Sequence, residues 1–313
     1  MKKFNKLAFV LALLTLVSCE RKADLLADIP SGRIVAWGHN NDGQVSNIPG
    51  GDDFVKVDTG EHHSLALRNN GTLEAWGRDS QGQVSGKPDG NDFIDIAAGY
   101  AHSIALRSNG TIAVWGLDVG KQVSNAPLHL EDVVDIAAGF DFSAVLRKNG
   151  EIYVWGQADM DFDRKITEKS PRGDDFIKIE IGRHHLLAMR SDSTLFAVGS
   201  DFLGSVNDTP AGKTEYVKLA AGARHNLALR RDGSIDAWGW DMRGEISETP
   251  TGNDFVDISV GYTHSMALRK DSSIVSWGWS GSNRRLVENT PQEKGFVAIS
   301  AGYLHNLAIR SDL

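Results

Sequence analysis

Asp92-Phe-Ile-Asp-Ile-Ala-Ala-Gly-Tyr-Ala-His-Ser-Ile-Ala-Leu-Arg107, followed by the turn Ser108-Asn-Gly110 and then Thr111-Ile-Ala-Val-Trp-Gly116, is one unit of a pattern written seven times along the chain. Its Trp-Gly step recurs at Trp37, Trp76, Trp115, Trp155, Trp238 and Trp277, with Val198-Gly199 standing in between Trp155 and Trp238. A second mark, Gly with His three residues on, recurs at Gly60, Gly99, Gly182, Gly222, Gly261 and Gly302, and at Gly139 with Phe142 for the His. A period of about 40 residues means an array whose units bury their faces only against their neighbours.

Within the unit, the β-branched alternation of 93–98 predicts a strand ending at Gly99, and 102–107 predicts a second. Ser108-Asn-Gly110 supplies the positive φ of a tight hairpin turn. Residues 111–115 form the third strand, a short fourth is expected at Gln122-Val-Ser124, and Pro127 falls in the linker. Four antiparallel strands repeated seven times are an all-β, seven-bladed propeller over 31–313. The small Ala97-Ala98-Gly99, Ala137-Ala138-Gly139 and Ala220-Ala221-Gly222 suit strands converging on an axis, with the Trp further out between blades. The chain enters in the second half of the hairpin, at Ser31 to Gly38, and leaves in the first half, at His305 to Leu313. Strands from both ends, 295–313 and 31–51, should therefore close the last blade.

Residues 1–18 carry a basic start, Met1-Lys-Lys3 with Lys6, and the apolar run Leu7 to Val17, a pattern for a secretory leader. They end at Leu16-Val-Ser-Cys19, the sole cysteine, which resembles a bacterial lipobox. That resemblance implies cleavage before Cys19 and its acylation, with 19–30 as a tether and the domain at the bacterial cell envelope, in the outer membrane and facing either side. One cysteine excludes an intrachain disulfide. Removing Lys2, Lys3 and Lys6 takes the formal net charge from −8 to −11, which disfavours a nucleic-acid partner. A monomer is expected.

The string Gly-x-x-His-Ser-x-Ala-Leu-Arg-x-Asp/Asn-Gly-Thr/Ser, followed by Ala/Val-x-Trp-Gly, resembles the regulator of chromosome condensation (RCC1-like) repeat over 31–313. The Ala-Trp-Gly-x-Asn/Asp-x-x-Gly-Gln-Val wording is similar to bacterial secreted members, among them the propeller-type β-lactamase inhibitor protein. The resemblance implies the propeller and a binding role through one face. By analogy with the eukaryotic founder it would also imply guanine-nucleotide exchange on the Ran GTPase, which an envelope protein does not meet. The chain departs from the pattern at Val198, at Phe142, and at 158–169, where a longer loop replaces the Gly-Gln turn.

His63, His102, His185, His225, His264 and His305 sit one per blade, too dispersed to share a metal, and are read as packing residues bonding neighbouring backbone. Asp159-Met-Asp161-Phe-Asp163 has Arg164 where a calcium loop needs Gly. No nucleophile elbow, zincin motif or phosphate loop occurs. Neither an enzyme nor a cofactor or metal is expected. What varies inside the frame carries more. After each turn Gly stand Glu61, Tyr100, Phe140, Arg183, Ala223, Tyr262 and Tyr303, and the loops after Trp-Gly include Trp240 and Trp279. Both sets should emerge on one face, with Arg243, Arg284 and Arg285 beside them. Tyr100, Phe140, Arg183, Trp240, Tyr262, Trp279 and Tyr303 are thus the expected binding residues for a protein or peptide. An envelope scaffold using the ring sides is the alternative. A carbohydrate-binding or hydrolytic propeller would need paired carboxylates at the funnel, where Glu61 stands alone at the turn positions.

Overall fold

The computed structural model describes residues 24–156, 166, 171–201, 203–279 and 285–311. Cys19, the leader, the Asp159–Asp163 stretch and Arg284 lie outside the described residues.

Seven three-stranded antiparallel sheets follow one another. Blade 1 comprises β2 (Phe54–Thr59), β3 (His63–Arg68) and β4 (Leu73–Gly77), and blade 2 comprises β5 (Phe93–Ala98), β6 (His102–Arg107) and β7 (Ile112–Gly116). Blade 3 comprises β8 (Val133–Ala138), β9 (Phe142–Arg147) and β10 (Ile152–Gly156), and blade 4 β11 (Phe176–Ile181), β12 (His185–Arg190) and β13 (Leu195–Gly199). Blade 5 comprises β14 (Tyr216–Ala221), β15 (His225–Arg230) and β16 (Ile235–Gly239), and blade 6 β17 (Phe255–Val260), β18 (His264–Arg269) and β19 (Ile274–Gly278). In blade 7, β21 (His305–Arg310) is flanked by β20 (Phe296–Ala301) and by β1 (Arg33–Gly38) from the start of the chain. The two-ended closure stands as expected.

The fourth strand does not form among the described residues. At 118–124 the Asp118 carboxylate accepts the amides of Val123 and Ser124, 2.9 and 2.8 Å away, and folds the segment into a turn. Asn40, Asp79, Asp201 and Asp241 do the same in other blades. A side chain that satisfies two amides locally leaves no ladder to extend. α1 (Asp24–Ala27) leads into the ring, and Leu26 is buried against Val55 and Phe93 with Ile29 beside it.

Every inner strand slips register by one residue after its first position, as between Phe54 and Lys56 and between Phe93 and Asp95. The bulge re-aims the residues that follow. Phe54 and Val57 enter the core while Lys56 and Asp58 stay half-buried.

Neighbouring blades are joined by two repeated cross-links. The imidazole Nε2 of each repeat histidine meets a side chain of the next blade: His63 with Ser103, His102 with Ser143, His185 with Asn226, His225 with Ser265, His264 with Asn306 and His305 with Ser64, at 2.6 to 2.8 Å. These rings therefore bond side chains across the blade boundary, where bonds to neighbouring backbone were expected. Asn306 gives its amide to the Leu286 carbonyl, so its oxygen faces His264 Nε2 and that nitrogen carries the proton. The second link is the tryptophan indole, which donates to a loop carbonyl of the blade before: Trp76 to Gln44, Trp115 to Gln83, Trp155 to Gln122, Trp277 to Glu245 and Trp37 to Leu286.

The boundary between blades 3 and 4 lacks both links among the described residues, and the repeat's two departures explain this together. Phe142 occupies the histidine position and Leu186 the position of its serine partner. Val198 occupies the tryptophan position, with Ile166 packed beside it. Matched apolar pairs replace matched polar pairs, so no buried polar group is stranded. A lone Phe142→His should cost about 3 kcal/mol, from lost packing and an unpartnered imidazole. Leu186→Ser should itself cost about 2–5 kcal/mol in lost packing, and the double variant should be about 1 kcal/mol more stable than the sum of the two losses, through the restored bond. Urea denaturation of the two singles and the double measures this coupling. Additive losses would show that the pairing carries nothing.

Candidate functional site

The turn after each inner strand and the loop after each Trp-Gly share one face, because their backbones bond directly. Arg78 N donates to His62 O, Leu117 N to Ala101 O, Trp240 N to Arg224 O and Trp279 N to Thr263 O, all at 2.8 to 3.0 Å. Adjacent turns are laced as well, by Tyr100 N to Gly139 O, Arg183 N to Gly222 O and Ala223 N to Gly261 O. The invariant Gly makes this possible: a Cβ on Gly99 would lie 2.6 Å from the Gly139 carbonyl oxygen. The varying side chains thus stand on a rigid rim around the axis.

Six of the seven expected residues form one continuous run. The Tyr100 and Phe140 rings lie 4.0 Å apart, and the Arg183 guanidinium sits 4.5 Å over Phe140. Arg183 reaches on toward the Tyr262 hydroxyl at 3.5 Å, and Tyr262 packs on Tyr303 at 4.1 Å. Arg224 stacks 4.5 Å over Trp240 and donates to the same Tyr262 hydroxyl at 3.2 Å. The seventh, Trp279, pairs apart from this run, under Arg243 at 4.0 Å. Every one of these rings is half-buried, neither submerged between blades nor fully open. Burial, with the Glu61 carboxylate second, raises the Tyr100 phenol above its ordinary pKa, and burial with Tyr262 raises Tyr303. Both therefore remain protonated donors at neutral pH. Arg285 is exposed.

Arg224 was not among the expected residues, although it carries the centre of the cluster. Its signal was the second position past the turn Gly, which reads His62, Ala101, Asp141, His184, Arg224, Thr263 and Leu304. At blade 1 this position gives His62, bonded to Asp42 at 2.8 Å. A shallow cavity of about 150 Å³ opens there between Glu61, His62, Arg78, Gln83, Tyr100 and Leu117.

The axis itself overturns the expectation that only small side chains fit it. Lys56 pairs with Asp95, Lys178 with Asp135 at 2.8 Å, and Lys218 with Asp257, each across a blade boundary. Asp58 accepts the Ala98 amide and the Ser300 hydroxyl, tying blades 7, 1 and 2. Burial pushes Glu180 up to about 7, offset in part by Lys178. Carboxylates therefore do converge on the axis, but below the rim, and most are held by lysine. Among the described residues no group of three or more metal-binding side chains gathers, and no helix is long and apolar enough to cross a membrane.

Five segments, 54–83, 93–119, 133–160, 216–244 and 255–284, match the model of the regulator of chromosome condensation (RCC1) repeat. No curated protein matches in sequence. Among solved structures, Prp20p from Saccharomyces cerevisiae is similar with a TM-score of 0.71 at 17% identity, covering 91% of this chain and 92% of that one. Human WBSCR16 is similar with a TM-score of 0.67 at 16% identity, covering 90% and 100%. The ectodomain of the Arabidopsis thaliana receptor kinase ACR4 is similar with a TM-score of 0.57 at 20% identity, covering 74% and 81%. At such identities the likeness is one of fold. The repeats, the seven sheets and the two-ended closure together make this chain an RCC1-repeat propeller.

Proposed function

We propose that this domain is a noncatalytic protein- or peptide-binding module of the bacterial envelope, anchored through an acylated Cys19, which docks a partner's projecting loop or helix on the aromatic rim. The observation that carries this reading is the unbroken run of half-exposed rings and guanidiniums from Tyr100 to Tyr303, fixed on a rigid rim. Pre-set tyrosine, tryptophan and arginine side chains lose little entropy on binding and supply the usual anchors of an interface. Frame residues repeat because packing repeats, whereas the position after the turn Gly varies among Glu, Tyr, Phe, Arg and Ala.

A second reading, docking on the sides of the ring, is favoured by Tyr153 on the outer strand β10 of blade 3, which is 44% exposed. Photo-crosslinking in intact cells separates the two. With p-benzoylphenylalanine at Tyr262 or at Tyr153, the proposal expects a discrete adduct from position 262 alone. Adducts from 153 and none from 262 would move the interface to the ring side.

A further inference from the structure

Six arginines of this fold are held by carboxylates, whereas three on the rim are not, among the described residues. Arg68, Arg107, Arg147, Arg190, Arg230 and Arg269, at the hairpin ends of their blades, each pair with an aspartate. On the rim, Arg78, Arg183 and Arg243 have no carboxylate in ion-pair range among the described residues. Arg183 and Arg243 lie on aromatic rings instead, and the Arg183 Nε is buried without an acceptor.

Arg183 and Arg224 also converge. Arg224 donates to the Tyr262 hydroxyl at 3.2 Å and Arg183 reaches the same oxygen at 3.5 Å, so the two guanidiniums meet at one point. In blade 5, Ala223 presents only a methyl group at the position where the neighbouring blades carry Arg183 and Tyr262. A carboxylate entering there would accept charge-assisted bonds from both guanidiniums, which are stronger than bonds to a phenol. The opposite wall carries Glu61 beside His62 and Asp42, which would repel the same carboxylate.

Building on the docking proposed above, we infer that the partner segment is acidic: it places an Asp or Glu carboxylate on Arg183 and Arg224 over blade 5, with its flanking apolar side chains toward Trp240. The axial carboxylates Asp58, Glu180 and Asp257 beneath the rim, in a chain of net charge −8, disfavour a multiply charged phosphate in that place.

The test is selection of a random phage-displayed peptide library on the purified full chain. Arg183→Gln, Arg224→Gln, Trp240→Ala and, on the hairpin face, Arg231→Gln serve as variants, each checked by thermal melting. Selected peptides should be enriched in Asp and Glu, bind Arg183→Gln or Arg224→Gln roughly tenfold more weakly, and bind Arg231→Gln unchanged. Glutarate should displace them at least as well as inorganic phosphate at equal ionic strength. Peptides lost on Trp240→Ala but neither acidic nor sensitive to either arginine variant would overturn this inference and leave aromatic docking intact. A preference for phosphate would also overturn it. No selected peptide at all would count against both.

Discussion

A chain ended after Tyr303 should not form the propeller. The ten residues removed contain β21, the middle strand of blade 7, which pairs with β20 on one side and with β1 on the other. Both flanking strands would be left with open edges. Leu307 and Ile309, completely buried, would be lost from the packing of blade 7 against blade 1, and Ala308, equally buried, from its packing against blade 6. The bonds of His305 to Ser64 and of His264 to Asn306 go with them. Burial of Leu307 and Ile309 alone is worth about 1.5–3 kcal/mol each. The ladder bonds and cross-links add to that, so the loss is comparable to the whole net stability of a typical domain, about 5–15 kcal/mol. The expected result is loss of the cooperative thermal transition and rapid proteolysis of blades 1 and 7. A truncated chain that melts like the intact one would mean that the ring does not depend on its closure.

Mild acid should unfold the domain sharply, because six imidazoles are buried uncharged. Burial lowers His63, His225 and His305 to about 3, and His102 and His264 to about 4. His185 is lowered for the same reason, against a bond to Asn226 that favours the charged form. Free histidine titrates near 6.5, so between that value and the folded one the unfolded chain takes up protons that the native state refuses. Stability is therefore complete above about pH 6.5 and falls as pH drops through the window beneath it. Each imidazole contributes roughly 1 kcal/mol per pH unit there, and six acting together reach the scale of total stability within one or two units.

Two groups oppose them. Burial raises Glu180 to about 7 and raises Asp58 as well, so both gain native protons over part of the same range. Six outweigh two. The turn carboxylates Asp79, Asp118, Asp201 and Asp241, lowered by backbone amides that overcome their partial burial, act only in stronger acid. Urea midpoints from pH 8 to 5 should stay level to about 6.5 and then drop steeply, and His102→Gln should shallow the drop. A flat profile to pH 5 would refute the neutral cross-link.

The frame was legible because packing chemistry repeats. Trp115, Gly99 and His102 recur wherever a blade must meet its neighbour, and the position of Ser31–Gly38 within the repeat was enough to show the shared seventh blade. The fourth strand was misread because Gln122-Val-Ser124 carries strand composition, while the residue that folds it, Asp118, lies outside that window. The axial charges were missed for a different reason. Read along one blade, Ala97-Ala98-Gly99 suggests a narrow apolar axis. Only a reading across blades, through Lys56, Asp95, Asp135, Lys178, Lys218 and Asp257, shows opposite signs on neighbouring blades that can pair, and the bulge that aims them inward is invisible in composition. At the rim, five residues were found from the position after the turn Gly, and Trp240 and Trp279 from the loop after Trp-Gly. Arg224 escaped because its blade offers Ala223 at that position and the functional side chain one residue later.

The central claim is that binding resides in the rim residues that vary and not in the repeated frame. A pull-down from envelope extracts with the wild-type domain and with Trp240→Ala/Tyr262→Ala/Trp279→Ala tests it most directly. The three rings lie at the surface on loops and turns outside the strands, so the variant should keep the wild-type melting transition. The account predicts that it loses specific partners which the wild-type domain retains. An identical set of captured proteins from both folded domains would contradict it.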